Sequence, residues 1–394
     1  MRAKILIVGG GFAGVKAALE LCKNPELAVT LLSDHSHFRY YPSLYREATG
    51  GRRAGSRIRL SDILKDRNVT FVRATATKLD RQKRLIITED GQQFGFDKLL
   101  LALGNVTNYF GIEGLAEHSF GIKSTEEAEA FRRHLHAQFI DHGCPDTHYV
   151  IVGAGPTGIE LAGALPSYLQ HIINKHGAKD CKINIELIEA ATQLLPRSAP
   201  SIAAAVARRL QKLGVRLHVH TAVKGQTADM LMAGDQALQT RTVVWTAGVT
   251  TNPFIKNNAF QLSPRGKAVV DAHLQAEPNI YILGDNAETQ YSGMAQTALY
   301  DATFVATNIR RQLKNRPPLG YTPKQPVSVI PVGPRWAAVE WGRLRFSGLL
   351  GWLVHIFVDL IAFHDLESWP HAASQWMRDM EESEADICPT CAKK

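Results

Sequence analysis

Two glycine-rich segments of this chain have the residue types and spacing needed to hold a pyrophosphate group. Each follows a short apolar run with the pattern of a strand and leads into a sequence with the pattern of a helix. The first glycine allows a tight turn, the second lets the backbone approach a phosphate, and the third permits close helix packing. These glycines are Gly9, Gly11 and Gly14 in the first copy and Gly153, Gly155 and Gly158 in the second. Two matches in the same setting predict two dinucleotide-binding folds.

Acidic residues at strand ends are candidates to complete both sites. In a dinucleotide-binding fold, an acid about 20 residues after the glycines accepts hydrogen bonds from ribose hydroxyls. In the second copy, the predicted strand 183–188 ends in Glu189, whose charge would repel the additional phosphate of NADPH and therefore favours NADH. In the first copy, the strand ends at Ser33, and Asp34 follows one residue late.

A third candidate acid is Asp285. The predicted strand 279–283 runs into Gly284 and Asp285, and a helix is expected to begin near Ala295. An acid at a strand end can hold a sugar or ribityl hydroxyl, and the alternative for an isolated aspartate is a helix cap or a turn.

The elements that position these residues belong to a chain of 394 residues, for which two or three domains are expected. A net charge of +8 would suit an anionic partner, but the chain has no zinc-finger or RNA-binding signature, so no nucleic-acid partner is predicted. The basic stretch between Arg46 and Arg59 is interpreted as a solvated loop. Five scattered cysteines favour a reducing compartment, and the apolar run at residues 5–8 is too short for a secretory signal.

Together with the strand ends at 99–104 and 243–248, these motifs resemble the two-dinucleotide-binding flavoprotein superfamily. Where that superfamily normally has Ala-Thr-Gly, this chain has Ala102-Leu103-Gly104 and Thr246-Ala247-Gly248. The resemblance implies an FAD site formed by Gly9, Gly11, Phe12, Ala13, Gly14, Ser33, Asp34, Gly104, Gly284, Asp285 and Ala295. It implies an NADH site formed by Gly153, Gly155, Pro156, Thr157, Gly158, Glu189 and Gly248.

Within that superfamily the chain looks most like the type II NADH dehydrogenases, single-subunit NADH:quinone oxidoreductases that pump no protons. Segments 41–50, 155–163, 295–298 and 346–363 carry this resemblance.

The resemblance implies that Glu160 delivers protons beside the flavin and that Gln296 donates a hydrogen bond to a quinone carbonyl. Where the family usually has a second glutamine, this chain has Tyr300, whose hydroxyl can also donate. The structural alternatives are a carboxylate favoured by the helix dipole for Glu160 and a surface polar residue for Gln296. No metal is required.

Residues 346–363 have the pattern of an amphipathic helix. Its apolar face consists of Leu349, Trp352, Leu353, Ile356, Phe357, Leu360 and Ile361, and His355 and Asp359 lie on the other face. Since a transmembrane helix needs about 20 apolar residues, we expect this helix to lie on a membrane surface or at a homodimer contact. Arg335, Arg343 and Arg345 precede it and suit anionic headgroups. The resemblance favours the membrane, and with it a peripheral position on the cytoplasmic side of the cell membrane.

The predicted fold class is α/β. We expect two Rossmann-like domains, with the NADH domain inserted into the FAD domain, and a C-terminal amphipathic helical region. The expected boundaries are 1–115 and 248–315 for the FAD domain, 116–247 for the NADH domain, and 316–394 for the C-terminal region, which ends in a flexible tail.

Two other functions stay open from sequence. One is a soluble FAD-dependent NAD(P)H reductase of a thiol, ferredoxin or other acceptor, with Cys388 and Cys391 as a relay. The other is a flavin-binding redox sensor with negligible turnover.

Overall fold

The computed structural model describes residues 2–50, 57–141, 146, 148–178 and 182–364. Cys388 and Cys391 therefore lie outside the described residues. The helices of the described part are α1 (Phe12–Leu21), α2 (Leu44–Ala48), α3 (Leu60–Ile63), α4 (Leu115–His118), α5 (Thr125–Asp141), α6 (Pro156–His176), α7 (Pro200–Lys212), α8 (Pro253–Asn257), α9 (Ala295–Leu313) and α10 (Leu349–His364).

The strands of the same residues belong to two parallel-strand sheets and several smaller antiparallel ones. They are β1 (Ala3–Val8), β2 (Leu27–Ser33), β3 (His37–Arg39), β4 (Arg57–Arg59), β5 (Val69–Arg73), β6 (Ala76–Asp80), β7 (Leu85–Thr88), β8 (Gln93–Gly95), β9 (Lys98–Leu101), β10 (Asn105–Thr107), β11 (His148–Val152), β12 (Asn184–Ile188), β13 (Val215–His218), β14 (Val223–Gln226), β15 (Met230–Ala233), β16 (Gln236–Gln239), β17 (Thr242–Trp245), β18 (Val249–Thr251), β19 (Gln275–Glu277), β20 (Ile280–Ile282), β21 (Ser328–Pro331), β22 (Ala337–Trp341) and β23 (Leu344–Gly348).

The first large sheet has the strand order β19-β20-β9-β1-β2-β5. Its central strand β1 pairs in parallel on both sides, and Ile7 lies opposite Leu31 on one side and Leu100 on the other. Such strands are covered on both faces, which explains their nearly continuous apolar sequences. The glycine loop that follows β1 therefore lies at the carboxyl edge of the sheet, where ligands bind in folds of this type.

The second large sheet has the order β13-β12-β11-β17, and β11 holds the central place that β1 has in the first sheet. All of its strands run in parallel. Because β9 and β20 of the first sheet flank this second unit in sequence, the second unit is inserted into the first. The predicted α/β fold class with two Rossmann-like units is confirmed.

The C-terminal three-stranded sheet, β21-β22-β23, packs on helices of the second unit. A side chain at Gly163 of α6 would lie 2.6 Å from the backbone nitrogen of Gly333, so glycine permits this close approach. On its other side the sheet carries α10. The C-terminal region is thus joined to the unit that holds the second glycine motif.

Helix α10 begins at Leu349, three residues later than predicted, because Phe346 to Gly348 belong to β23. Its exposed apolar side chains, here called the apolar stripe, are Leu349, Leu350, Leu353, Phe357 and Ile361. Trp352, Ile356 and Leu360 of the predicted apolar face are half-buried instead. The face with His355 packs inward, and in the described residues no helix combines the length and the apolar character required to cross a membrane.

Candidate functional site

A cavity of about 1270 Å³ lies where the first glycine motif, the start of α6 and the C-terminal helix meet. Sites for a single small ligand typically enclose roughly 300–1,000 Å³, so this space can hold more than one ligand. Residues predicted for the site that line it are Gly9, Gly11, Phe12, Ala13, Ser33, Asp34, Gly104, Pro156, Thr157, Glu160, Gly284, Asp285, Ala295 and Gln296. The structure therefore brings most of the predicted FAD site together with Glu160 and Gln296.

The first glycine loop has the geometry of a phosphate cradle. Gly9 has φ +115°, and a Cβ at Gly14 would lie 1.8 Å from the Gly9 carbonyl oxygen, so these two positions require glycine. By contrast, a Cβ at Gly11 would have no protein atom within 4 Å. Gly11 is also the N-cap of α1, whose free amides and dipole favour an anion. The open space at Gly11 fits the pyrophosphate of FAD.

The second glycine loop repeats this geometry residue by residue. Gly153 has φ +103°, a Cβ at Gly158 would lie 1.9 Å from the Gly153 carbonyl oxygen, and Gly155 is open. Gly155 is the N-cap of the 21-residue helix α6, which has Pro156 in its first turn. Proline suits this place because it has no N–H to leave unsatisfied. The loop therefore fits a second pyrophosphate, as NADH would supply.

The predicted ribose acids occupy different settings. Both carboxylate oxygens of Glu189 accept backbone hydrogen bonds, from Ala154 N at 2.7 Å and from Ala191 N at 2.8 Å. These bonds fix the carboxylate against the second glycine loop. Asp34 lines the cavity beside the first loop, and its carboxylate lies 3.1 Å from His35 Nε2. The hydroxyl of Ser33 accepts from His35 N at 3.2 Å.

Asp285 follows Gly284 at the end of β20, and its carboxylate faces the cavity. Asn105 Nδ2 donates a hydrogen bond to Asp285 Oδ2 at 3.0 Å, which orients the acid. Asn286 Nδ2 donates to the Gly104 carbonyl at 2.8 Å and ties the two strand ends together. The donors and acceptors at these strand ends suit the hydroxyl-rich middle of FAD.

Glu160 lies in the second turn of α6, half-buried, and lines the cavity. Lys123 lines the same cavity, and burial lowers the pKa of its amine, while the nearby carboxylates of Asp285 and Glu127 oppose that decrease. Sequence reasoning missed Lys123. It stands between two predicted elements, where no local pattern distinguishes it from a surface lysine.

Gln296 and Tyr300 are placed differently by α9. Gln296 lines the cavity, and its amide meets the backbone of Val327, with Oε1 accepting from Val327 N at 2.9 Å. Tyr300 is not among the described residues that line the cavity. Its ring lies 5.7 Å from that of Tyr321, and Lys324 Nζ lies 4.4 Å above it.

The C-terminal helix contributes His355, which is 7 % exposed and lines the cavity. Its Nε2 lies 2.5 Å from Arg46 Nη2. Since guanidinium has no acceptor, the His355 nitrogen at this contact accepts, which leaves the proton on Nδ1. Arg46 also donates to Tyr45 OH at 3.1 Å, so the interpretation of Arg46 as part of a solvated loop is wrong. The local sequence could not show this contact, because Arg46 and His355 are 309 positions apart in the chain.

Gly248 lies where the second unit rejoins the first. A Cβ there would lie 2.4 Å from the ring of Phe110, and Trp245 Nε1 donates to the Asn108 carbonyl at 2.9 Å. The adjoining strands β10 and β18 pair antiparallel, so both connections between the units run side by side. Val249 to Asn252 continue from there along the cavity wall.

Three comparisons with known proteins agree with this geometry. The model of the family described as pyridine nucleotide-disulphide oxidoreductase matches residues 3–302. A type II NADH:quinone oxidoreductase of Mycobacterium tuberculosis is 28% identical over 91% of this chain and 84% of its own length. A type II NADH:quinone oxidoreductase of Staphylococcus aureus is 29% identical over 79% of this chain and 83% of its own length.

Solved structures show the same fold at lower identity. NDH2 of Plasmodium falciparum in complex with NADH superposes with a TM-score of 0.85 at 17% identity, over 96% of this chain and 97% of that one. The sulfide:quinone oxidoreductase of Aquifex aeolicus superposes with a TM-score of 0.78 at 18% identity, over 99% and 98% of the two chains. At these identities the likeness establishes the fold alone.

Proposed function

Because this chain belongs to the pyridine nucleotide-disulphide oxidoreductase family, we propose that it oxidises NADH and reduces a membrane quinone without pumping protons. The observation that carries the proposal is one continuous cavity lined by the first glycine loop, the start of α6 and the apolar helix α10. Such a lining gives an anionic cofactor, a hydride donor and an apolar acceptor access to one space. The overall reaction consumes NADH, a quinone and one proton, and yields NAD⁺ and a quinol.

The first glycine loop, Asp34, Gly104 and the Gly284–Asp285 turn would hold FAD. The open position at Gly11, at the N-cap of α1, supports this assignment, since no protein atom blocks the approach of a pyrophosphate there. Bound FAD supplies a two-electron carrier that accepts a hydride from a nicotinamide and returns electrons to an acceptor.

The second glycine loop would bind the pyrophosphate of NADH, with Pro156 and Thr157 on the cavity side. Glu189 is held by Ala154 N and Ala191 N, yet each carboxylate oxygen has a further lone pair for a ribose hydroxyl. Its fixed negative charge would disfavour the additional phosphate of NADPH. Gly248 would support the same site indirectly, since the ring of Phe110 packs directly against it.

Glu160 would deliver protons, because quinone reduction needs two protons as well as two electrons. A half-buried carboxyl in the cavity can hold a proton near the acceptor and recover another from solvent. Gln296 accepts from Val327 N and donates one Nε2 hydrogen to the Val327 carbonyl at 3.4 Å, so its other Nε2 hydrogen would donate to a quinone carbonyl. A role for Tyr300 requires its hydroxyl to reach the quinone from outside the cavity lining.

The apolar stripe of α10 would contact the membrane. Phe357 and Ile361 are exposed and also line the cavity, so the cavity opens beside the stripe. A quinone arriving from the acyl chains could enter there without crossing water. Exposed Arg335 and Arg343 near the stripe would meet anionic headgroups, at roughly 1 kcal/mol each.

We therefore propose that the protein is peripheral and lies on the cytoplasmic side of the cell membrane. A homodimer contact is the alternative occupant of the stripe.

We divide the chain accordingly into an FAD domain (1–115 and 248–315), an NADH domain (116–247) and a membrane-association region (316–394). The main structural exception is α2, which packs against α5 and α6 although it comes from the first segment.

The experiment that tests the function is anaerobic mixing with NADH in a spectrophotometer, followed by a soluble short-chain quinone. We expect the flavin absorbance to bleach rapidly and then to return over many turnovers. Bleaching without reoxidation by quinone would instead support a reductase of another acceptor. Tight FAD binding without bleaching by NADH would overturn hydride transfer and support a redox sensor.

A further inference from the structure

Asp301, on the inner face of α9, is a fully buried acid for which the proposed reaction has no role. Its neighbours on that face include Ala298, Ala302 and Val305. Both carboxylate oxygens accept hydrogen bonds: Oδ2 from Gly284 N at 3.0 Å and Oδ1 from Tyr321 OH at 2.6 Å. Burying a carboxylate is costly, and these two bonds offset part of the cost. The arrangement therefore calls for an explanation beyond packing.

On one side, Asp301 fixes the turn that carries Asp285. Gly284 has φ +64°, in the left-handed region, and its N–H points at the carboxylate. The preceding residue, Leu283, is anchored to the sheet, because its backbone N–H donates to the Leu101 carbonyl at 3.0 Å. With Gly284 held from behind and Leu283 held by the sheet, the Asp285 side chain is directed into the cavity.

On the other side, Asp301 fixes a segment that we call the strap, residues 319–327, which runs along α9. Asn308 exchanges two hydrogen bonds with the backbone of Leu319, at 3.0 and 2.8 Å. Asp301 accepts from Tyr321, and Gln296 meets Val327. Beyond Val327 the chain continues as the cavity wall of residues 327–330.

We propose that Asp301 is a positioning residue that holds the cofactor-binding turn and the strap in one fixed arrangement. The carboxylate links the wall that would bind FAD to the wall that borders Gln296 at the acceptor end. This inference rests on the proposed function, because that function assigns FAD to one wall and the quinone to the other.

Three variants separate the two sides of the link. Asp301→Ala removes both bonds, and Tyr321→Phe removes only the bond to the strap. Asp301→Asn keeps both, since its amide oxygen can accept from Gly284 N and its NH₂ can donate to the phenol oxygen. Asn308→Ala is the matched control, because Asn308 is equally buried on α9 and holds the strap without contact to Gly284.

The first measurement is the rate of FAD release from the purified holoenzyme after dilution, followed by flavin fluorescence. We expect Asp301→Ala to release FAD roughly ten-fold to a hundred-fold faster, as for a lost hydrogen bond to an ionised group. Asp301→Asn should restore slow release, and Tyr321→Phe and Asn308→Ala should stay within about three-fold of the wild type. The second measurement is the KM for a short-chain quinone, which should rise in Asp301→Ala and Tyr321→Phe with a smaller change in kcat.

Equal FAD release from the wild type and Asp301→Ala would overturn the inference and leave the proposed function intact. Equal acceleration in Asp301→Ala and Asn308→Ala would also overturn it, since loosening of α9 alone would then explain the effect. A wild-type protein that holds FAD but does not reduce quinone would overturn the proposed function, while the FAD-release comparison would still report on Asp301.

Discussion

Replacing Asp301 with asparagine should change how the stability of the protein depends on pH. Burial raises the pKa of Asp301 from its ordinary value of 3.8 to about 6, although hydrogen bonds from Tyr321 and Gly284 lower it. The charge of Asp285 adds to the increase. Because the pKa is raised in the folded state, the acid's contribution to stability is fully present below pH 3.8 and is lost as the pH rises through 6. Asparagine does not ionise, so the variant should lack this loss.

The size of the effect follows from the two pKa values. A change from 3.8 to about 6 corresponds to about 3 kcal/mol of unfolding free energy, at 1.36 kcal/mol for each tenfold change in proton affinity. For a chain of 394 residues, an unfolding entropy of roughly 2.1 cal/mol/K per residue gives about 0.8 kcal/mol per degree. About 2.4 kcal/mol of this change falls between pH 4 and pH 7.5, so the melting temperature of the variant should rise by about 3 °C relative to the wild type over that range.

The assay is thermal unfolding of both proteins with saturating FAD, at half-unit steps from pH 4 to pH 8. What matters is the difference between the two melting temperatures at each pH, since other titrating groups are shared and cancel. The difference should grow mainly between pH 4 and pH 6, because the wild type loses this contribution between the two pKa values, 3.8 and about 6. A difference that stays constant across this range would refute the reasoning, because it would mean that folding does not raise the pKa of Asp301.

The other predictions concern the glycine loops, proton delivery and the apolar stripe. Gly11→Ala should fold normally, since its Cβ meets no protein atom, but should lose FAD on gel filtration, whereas Gly155→Ala should keep FAD and raise the KM for NADH. The reverse pattern would contradict the assignment of the two loops. Glu160→Gln should slow quinone reduction by roughly 10²–10⁴-fold in stopped flow and leave flavin bleaching by NADH unchanged. If bleaching slows equally, the residue does not serve proton delivery to quinone. Leu350→Asp should weaken liposome binding by roughly tenfold or more in co-sedimentation, while Val219→Asp, at an exposed apolar residue of the second unit just after β13, should not. Equal binding of both variants would remove the stripe from the membrane contact.

Helix α10 illustrates the limit of sequence patterns. Its apolar face was recognised from the helical period, but the period cannot tell whether such a face is buried or exposed. The structure buries His355 beside Arg46 and leaves Leu353, Phe357 and Ile361 outside. A side chain at Gly351 would lie 2.2 Å from the Ala337 carbonyl oxygen, and this close contact fixes which face turns inward. That orientation depends on packing against β22, and the periodicity of the helix sequence carries no information about this strand.

The candidate site shows the same division. Gly9 to Gly14 and Gly153 to Gly158 were assigned correctly as strand-turn-helix loops, and Asp285 was found at its strand end. Asp301 and Lys123 were missed. A lone acid on the face of Ala298, Ala302 and Val305 was the available signal for Asp301, because a charge on an otherwise apolar face needs a buried partner.

The sequence by itself determined the two dinucleotide-binding folds, because each phosphate loop is built from contiguous residues whose backbone conformation and close packing only glycine allows. Tertiary structure alone decided which distant groups meet at the site. Arg46 reaches His355 across 309 positions, and the Gly284 turn reaches the strap through Asp301. Local spacing specifies turns and helices, whereas the partner of a buried charge is set by how the sheets and helices pack.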